Sequence, residues 1–302
     1  MASDFPVFCK EFGLLRGLWY SLFHSVSAFC NAGFDLMGVR SPFSSLTAFA
    51  AHPLVNLVIM LLIIIGGISF TTWDDVRTNG PRLRRYRMQT KVILTTTALL
   101  IVLPALYYFF FEFSALPLGE RFWGSLFQSV TPRTAGFNTL DLNLMSEGGQ
   151  AVMIGLMLTG GAPGSTAGGM KVTTLAVLLS TAVSVIRRRE YTHFFGRRVD
   201  EDTVRGAAAI LTLYLTLFFG GGFLISRLEG LPLHVCLFES ASAVGTAGLT
   251  LGITTQLGLA SRLILTALMY CGRVGALTLL FAALSGGKSS PARLPAEKLI
   301  VG

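Results

Sequence analysis

Ser125-Leu126-Phe127-Gln128-Ser129-Val130, leading to Thr134-Ala135-Gly136-Phe137, is one of three variants of a single phrase in this 302-residue chain. The others are Ser21-Leu22-Phe23-His24-Ser25-Val26 before Asn31-Ala32-Gly33-Phe34, and Cys236-Leu237-Phe238-Glu239-Ser240-Ala241 before Thr246-Ala247-Gly248-Leu249. The glycines lie 103 and 112 residues apart, too far for a solenoid repeat and well suited to a unit of two membrane-crossing helices and a re-entrant loop. In the second copy Glu120 to Thr131 reads as a short helix, and Pro132 bars its smooth continuation. A half-helix dipping into a membrane turns its partly negative C-terminal carbonyls toward the centre, where a cation is favoured. Glycine opens backbone conformations closed to other residues, so loop carbonyls can face an axis and replace an ion's hydration shell. Ala32, Ala135 and Ala247, with Asn31, Thr134 and Thr246, are small enough for the loops to approach one another. A single Ala-Gly pair more often marks tight helix packing; three in one register point to a pore.

Composition places the chain in a membrane. Hydrophobic residues make up 52% and charged residues only 13%, with a mean hydropathy of +0.63, against about 25% charged in a soluble domain. Uncharged blocks run from Pro53 to Trp73, Val92 to Phe111, Gly148 to Met170 and Gly206 to Ser226, each near the ~20 residues that cross a bilayer core. A fifth, Ser261 to Leu284, carries Arg262 at its rim and Arg273 in its middle. The expected fold is therefore an all-α integral membrane protein built of helix, pore-loop, helix repeats.

The net charge of +8 is explained by position rather than by nucleic acid. One basic cluster runs from Arg77 to Lys91, a second from Arg187 to Arg205, and Lys288, Arg293 and Lys298 follow the last block. The positive-inside rule puts these segments and the C-terminus in the cytoplasm, which leaves all three repeated loops on the external side.

From Gly160 to Lys171 an apolar run is broken by Gly160, Gly161, Pro163, Gly164, Ser165, Thr166, Gly168 and Gly169. Such a sequence cannot sustain a membrane helix, and irregular backbone at that depth survives only inside protein or along a cavity. It reads as a gate below the loops. A phosphate-loop reading fails, because Met170 stands where the lysine must follow. Arg273, in the middle of an apolar block, costs about 3 kcal/mol on insertion scales, and so is expected to face water or a partner in the bundle interior. Lys171 belongs either to this charged group or simply to the inner end of the loop. Cys9, Cys30, Cys236 and Cys271 show no metal or redox spacing. Asp35, Asp141 and Glu239 near the loops read as cation-attracting groups at the mouth, or more commonly as helix caps or solvated surface charges. No grouping of acid, base and nucleophile supports an enzyme.

These phrases, with Gly160-Gly161-Ala162-Pro163-Gly164-Ser165-Thr166-Ala167-Gly168-Gly169-Met170-Lys171, resemble the pore-forming subunits of the bacterial Trk/Ktr potassium uptake systems, related to plant HKT transporters. The resemblance implies a pseudo-fourfold pore of four such repeats, three of them present here, each with one filter glycine. Residues 1–76 would hold the pore loop and inner helix of the second repeat, 77–203 the third with its broken inner helix, and 204–302 the fourth with a C-terminal tail. The first repeat would be missing. The implied activity is potassium uptake, with sodium taking part in some members, and the implied role of the glycine-rich break is a gate. Implied partners are a second copy of the chain and a cytoplasmic nucleotide-binding RCK-type subunit that keeps the nucleotide; the chain itself is expected to carry no cofactor. Competing readings are a non-conducting fragment and a secondary transporter, the latter disfavoured because the three units share one orientation whereas inverted repeats would be expected.

Overall fold

The computed structural model describes residues 5–39 and 41–275. An N-terminal pair, α1 (Phe5–Phe12) and α2 (Leu14–Phe29), precedes α3 (Pro53–Gly67) and α4 (Phe70–Asn79). Then come α5 (Met88–Tyr107), α6 (Leu118–Val130), α7 (Glu147–Leu158) and α8 (Val172–Ile186). A short antiparallel hairpin, β1 (His193–Phe194) with β2 (Arg197–Arg198), leads to α9 (Glu201–Glu229), α10 (Leu233–Val244) and α11 (Leu259–Val274).

The three repeated phrases occupy α2, α6 and α10. Each packs against longer or more apolar neighbours: α2 on α3, α6 on α3 and α5, and α10 on α7, α9 and α11. Their buried faces carry polar groups, including Ser21, His24 and Ser25 on α2, Ser125, Gln128 and Ser129 on α6, and Glu239, Ser240 and Ser242 on α10. Leu99, Leu103 and Leu106 on α5, and Phe219, Phe223 and Leu224 on α9, lie exposed. Polar inside and apolar outside is the arrangement a lipid solvent selects. Two helical stretches among the described residues, Met88–Glu112 and Glu201–Glu229, are long and apolar enough to cross a membrane. The second has acids in its first turn, Glu201 and Asp202, Arg227 in its last, and Gly230 in the left-handed conformation just past its end, matching the helix dipole and closing the terminal carbonyls.

One apolar block is not the single crossing that its composition suggests, a second is broken as its glycines predict, and a third is described only in part. The block from Pro53 to Trp73 breaks between α3 and α4, which meet at 97°. The reason lies in the bonding of the break. The last carbonyls of α3 have no helical partner, and the glycine-rich loop supplies one: Gly66 O accepts from Thr166 N at 3.2 Å and Gly67 O from Ala162 N at 3.0 Å. In return Phe70 N, opening α4, donates to Gly164 O at 3.1 Å. The run from Gly148 to Met170 holds α7 and then the loop, with a new helix beginning at Val172. In the fifth block α11 stops at Val274, and Gly275 has a φ of 92°; Arg273 is thus at the helix end rather than mid-helix, and the remainder of that block lies outside the described residues. Lys288, Arg293 and Lys298 lie outside them as well.

Close packing at the break gives a stability test. A Cβ at Gly66 would overlap the carbonyl oxygen of Phe29 at the end of α2. Gly66→Ala is expected to destabilise the protein by about 1–3 kcal/mol through overpacking, read as a lower melting temperature in detergent. Gly155→Ala, where a Cβ would meet nothing within 4 Å, is the neutral comparison.

Candidate functional site

After α2, α6 and α10 the chain makes the same turn three times. The residue two before each glycine is left-handed, Asn31 at φ 48°, Thr134 at 73° and Thr246 at 52°, and the glycines follow at 72°, 87° and 83°. Left-handed backbone is unusual away from glycine, so three matched instances indicate one local design. The bonding repeats as well. Ala32 N donates to Ser27 O at 2.9 Å, Ala135 N to Thr131 O at 3.0 Å and Ala247 N to Ser242 O at 2.8 Å, turning each loop back under its own half-helix. The Ser27 hydroxyl donates to Phe34 O at 2.8 Å, and the Thr131 hydroxyl to Phe137 O at 2.6 Å.

These loops meet. A Cβ on Gly33 would overlap the carbonyl oxygen of Ala135 and lie 3.1 Å from the Cα of Gly136; one on Gly136 would overlap the carbonyl oxygen of Ala247 and lie 3.4 Å from the Cα of Gly33. Each glycine therefore abuts the alanine carbonyl of the next loop, in chain order. The third differs: at Gly248 no described atom lies within 4 Å of that position. Ala135 and Ala247 are thus brought against Gly33 and Gly136, and Asn31, Ala32, Thr134 and Thr246 belong to the same turns. Phe137 and Leu249 are buried, whereas Phe34 is exposed.

The glycine-rich segment is pinched at its neck by Thr159 and Met170, which form an isolated parallel bridge with Gly160 N donating to Met170 O at 2.7 Å. Pro163 and Gly164 sit at the tight end, Gly164 with φ 69°, and Ser165 donates to Ala162 O at 2.7 Å. Thr166 is the junction. Its hydroxyl accepts from Asn31 Nδ2 at 3.0 Å and lies 3.1 Å from Phe29 O and 2.9 Å from Gly66 O, while its carbonyl accepts from Arg273 Nη1 at 2.8 Å. Lys171 opens α8 and its Nζ donates to Ala167 O at 2.8 Å. Both charges that the sequence singled out therefore hold the same loop. On the far side, a Cβ at Gly168 would overlap the Thr246 side chain, so the segment touches the first and third repeated loops.

The importance of Thr166 is not visible in the sequence, because its three neighbours, Phe29, Asn31 and Gly66, are about a hundred residues or more away in the chain. Asp35 and Asp141 turn out to cap local turns, accepting from Met37 N at 2.9 Å and Asn143 N at 3.0 Å. The cysteines are free. Among the described residues no group of His, Cys, Asp and Glu could hold a metal ion.

A family model described as TrkH, cation transport protein, matches residues 11–290. The potassium/sodium uptake protein NtpJ of Enterococcus hirae is 37% identical, over 98% of this chain and 67% of its own length. The Ktr system potassium uptake protein B of Bacillus subtilis is also 37% identical, over 90% of this chain and 61% of its own length. Among solved structures, the potassium transporter TrkH from Vibrio parahaemolyticus superposes with a TM-score of 0.73 at 20% identity, covering 93% of this chain and 61% of the other, which establishes a common fold. The chain spans about two thirds of the length of these relatives. With the length matched by the family model and the identity to curated members, this chain belongs to the TrkH cation transport protein family.

Proposed function

We propose that the three converging loops form the larger part of a potassium filter, through which the ion enters the cell down its electrochemical gradient. The observation that carries this reading is the contact of Gly33 with Ala135 and of Gly136 with Ala247 in loops of one backbone conformation. Carbonyls held this way around an axis can substitute for water on a dehydrated monovalent cation. The flank of Gly248, where no described atom lies within 4 Å of an added Cβ, is where one further loop would complete a pseudo-fourfold ring. Relatives named for potassium and for potassium/sodium uptake support the ion, and leave sodium participation to measurement.

The segment 160–171 acts as the gate in this reading. It is anchored to the bent α3, to Asn31 of the first loop and to Arg273, which holds it against the loops. Orientation follows the charge: the hairpin and its flanks expose Arg187, Arg188, Arg189, Arg197, Arg198 and Arg205, which supports a cytoplasmic position for this end. Relatives named as components of Ktr systems support assembly with a regulatory subunit, of RCK type, on this basic face, and a homodimer as the pore-forming unit.

The test is growth. Expressed from its full reading frame in a strain lacking potassium uptake, the protein is expected to restore growth at limiting K+. Absence of both growth and Rb+ uptake, with the protein present in the membrane, would reject the reading.

A further inference from the structure

Each half-helix carries one buried polar side chain at the same place, eight or nine residues before its glycine: His24, Gln128 and Glu239, with exposures of 0%, 0% and 4%. The three are chemically different, yet each bonds to the segment that leaves its own loop. His24 Nε2 accepts from Leu36 N at 3.3 Å. That bond fixes the imidazole as the neutral tautomer protonated at Nδ1, which donates to Tyr20 O at 2.7 Å. Gln128 Nε2 donates to Asn138 Oδ1 at 2.9 Å. Asn138 is itself held from outside, its N–H donating to Ser45 Oγ at 3.1 Å and its carbonyl accepting from Leu46 N at 2.9 Å. Glu239 accepts from both Thr250, through Oε1, and Thr254, through Oε2, the latter at 3.0 Å, and Gly252 N donates to the Thr250 hydroxyl at 2.8 Å. The partners Leu36, Asn138 and Thr250 stand two or three residues beyond Gly33, Gly136 and Gly248.

We infer that His24, Gln128 and Glu239 are positioning residues for ion discrimination: each fixes the outgoing end of its loop and so sets how far the loop carbonyls stand from the axis. The physical need is plain. Left-handed residues such as Asn31, Thr134 and Thr246 persist only where the surroundings over-determine them, and the incoming end of each loop is already tied by the alanine N–H. In the first two loops the Ser27 and Thr131 hydroxyls also hold Phe34 O and Phe137 O. The ties from His24, Gln128 and Glu239 act further along the outgoing segment, where without them a loop carbonyl could relax toward or away from the ion. Glu239 is the strongest of the set, because a carboxylate gathers two hydroxyls and charge-assisted bonds are about twice as strong as neutral ones. It also serves the third loop, whose glycine has no described neighbour on its far flank and which depends most on its own ties. This inference rests on the filter reading above and adds to it the residues that tune selectivity.

The experiment compares K+ and Na+ uptake, as maximal rate and half-saturation for each ion, in Glu239→Ala, Glu239→Gln and Thr250→Val, with Gly136→Ser as reference, in the full reading frame. Glu239→Ala is expected to reduce K+ over Na+ discrimination by about tenfold, the equivalent of one lost hydrogen bond to a charged group. Glutamine, which can accept from one threonine and donate to the other, should restore most of it. Thr250→Val, at an exposed position, removes one hydroxyl without disturbing the core and should shift the ratio in the same direction; it carries the decision if Glu239→Ala does not fold. A ratio unchanged in Glu239→Ala and Thr250→Val while Gly136→Ser shifts it overturns the inference and leaves the filter standing. So does a simple loss of membrane-inserted protein at constant ratio, which is what a purely structural role predicts, and so does a Glu239→Gln variant as impaired as alanine. If Gly136→Ser leaves the ratio unchanged too, both the filter and its tuning fall together.

Discussion

Gly136→Ser is expected to lower K+ over Na+ discrimination by one to two orders of magnitude. Two costs combine at this position. The backbone there has φ 87°, which an L side chain adopts at a cost of roughly 1–2 kcal/mol. The new Cβ would in addition overlap the carbonyl oxygen of Ala247, and relieving an overlap of that kind costs about 1–3 kcal/mol. Since about 1.4 kcal/mol is a factor of ten, the loops must move, and the carbonyls that move are those assigned to the ion. Competition of Na+ against Rb+ uptake measures the result directly. Discrimination preserved in Gly136→Ser would remove the carbonyl filter from consideration.

Gly248→Ser sharpens the experiment. Its φ of 83° imposes nearly the same backbone cost, but no described atom lies within 4 Å of the added Cβ. If nothing packs on that flank in the working protein, Gly248→Ser should be milder than Gly136→Ser by about tenfold, the worth of the missing overlap. If a further loop closes the ring there, the two variants should be equally damaging. A comparison of two serines thus reports on whether the third loop has a neighbour.

The repeated turn was legible in the sequence because its signal is local. A half-helix, a small residue and a glycine recur within about a dozen positions, and the conformational demand on Gly33, Gly136 and Gly248 is met by glycine wherever they sit. The broken segment from Gly160 to Lys171 was legible for the same reason: five glycines and a proline are a backbone statement. What the sequence concealed is long-range. The apolar run from Pro53 to Trp73 has the composition of one crossing, and nothing in it announces a bend of 97°; the bend is set by Thr166 and Ala162, which lie far along the chain and take up the carbonyls of Gly66 and Gly67. His24 and Gln128 were equally silent, since a lone polar residue on a short helix has no meaning until Leu36 and Asn138 are seen folded back against it. Glu239, whose sequence position leaves open a cation-attracting group, a cap or a solvated surface charge, is a buried acceptor of hydrogen bonds from Thr250 and Thr254.

Deleting Gly164 to Gly168 is expected to raise ion flux per molecule by about tenfold while leaving K+ over Na+ preference near its original value. The neck of the segment lies outside the deletion: Thr159 and Met170 stay paired, and Gly160 N keeps its bond to Met170 O, so α7 and α8 retain their junction. What is lost is the set of contacts that hold the proposed gate, namely Thr166 to Gly66 and Phe29, Asn31 to Thr166, Arg273 to the Thr166 carbonyl, Phe70 N to Gly164 O and Lys171 to Ala167 O. A hydrogen bond from a charged group contributes about 1.5–3 kcal/mol, enough by itself to shift a closed-to-open equilibrium tenfold or more. Arg273→Ala should therefore reproduce much of the effect without shortening the chain, and Arg273→Gln, which can still donate to that carbonyl, should fall between alanine and the native residue. The gain should appear in the maximal rate and not in the half-saturating K+ concentration, because Ala135 and Ala247 and their glycine neighbours are untouched. Flux that stays constant, or vanishes from correctly folded protein, would show that the segment supports the filter instead of obstructing it. The contacts at Thr166 would then be buttresses of Asn31 and α3 and no part of a gate.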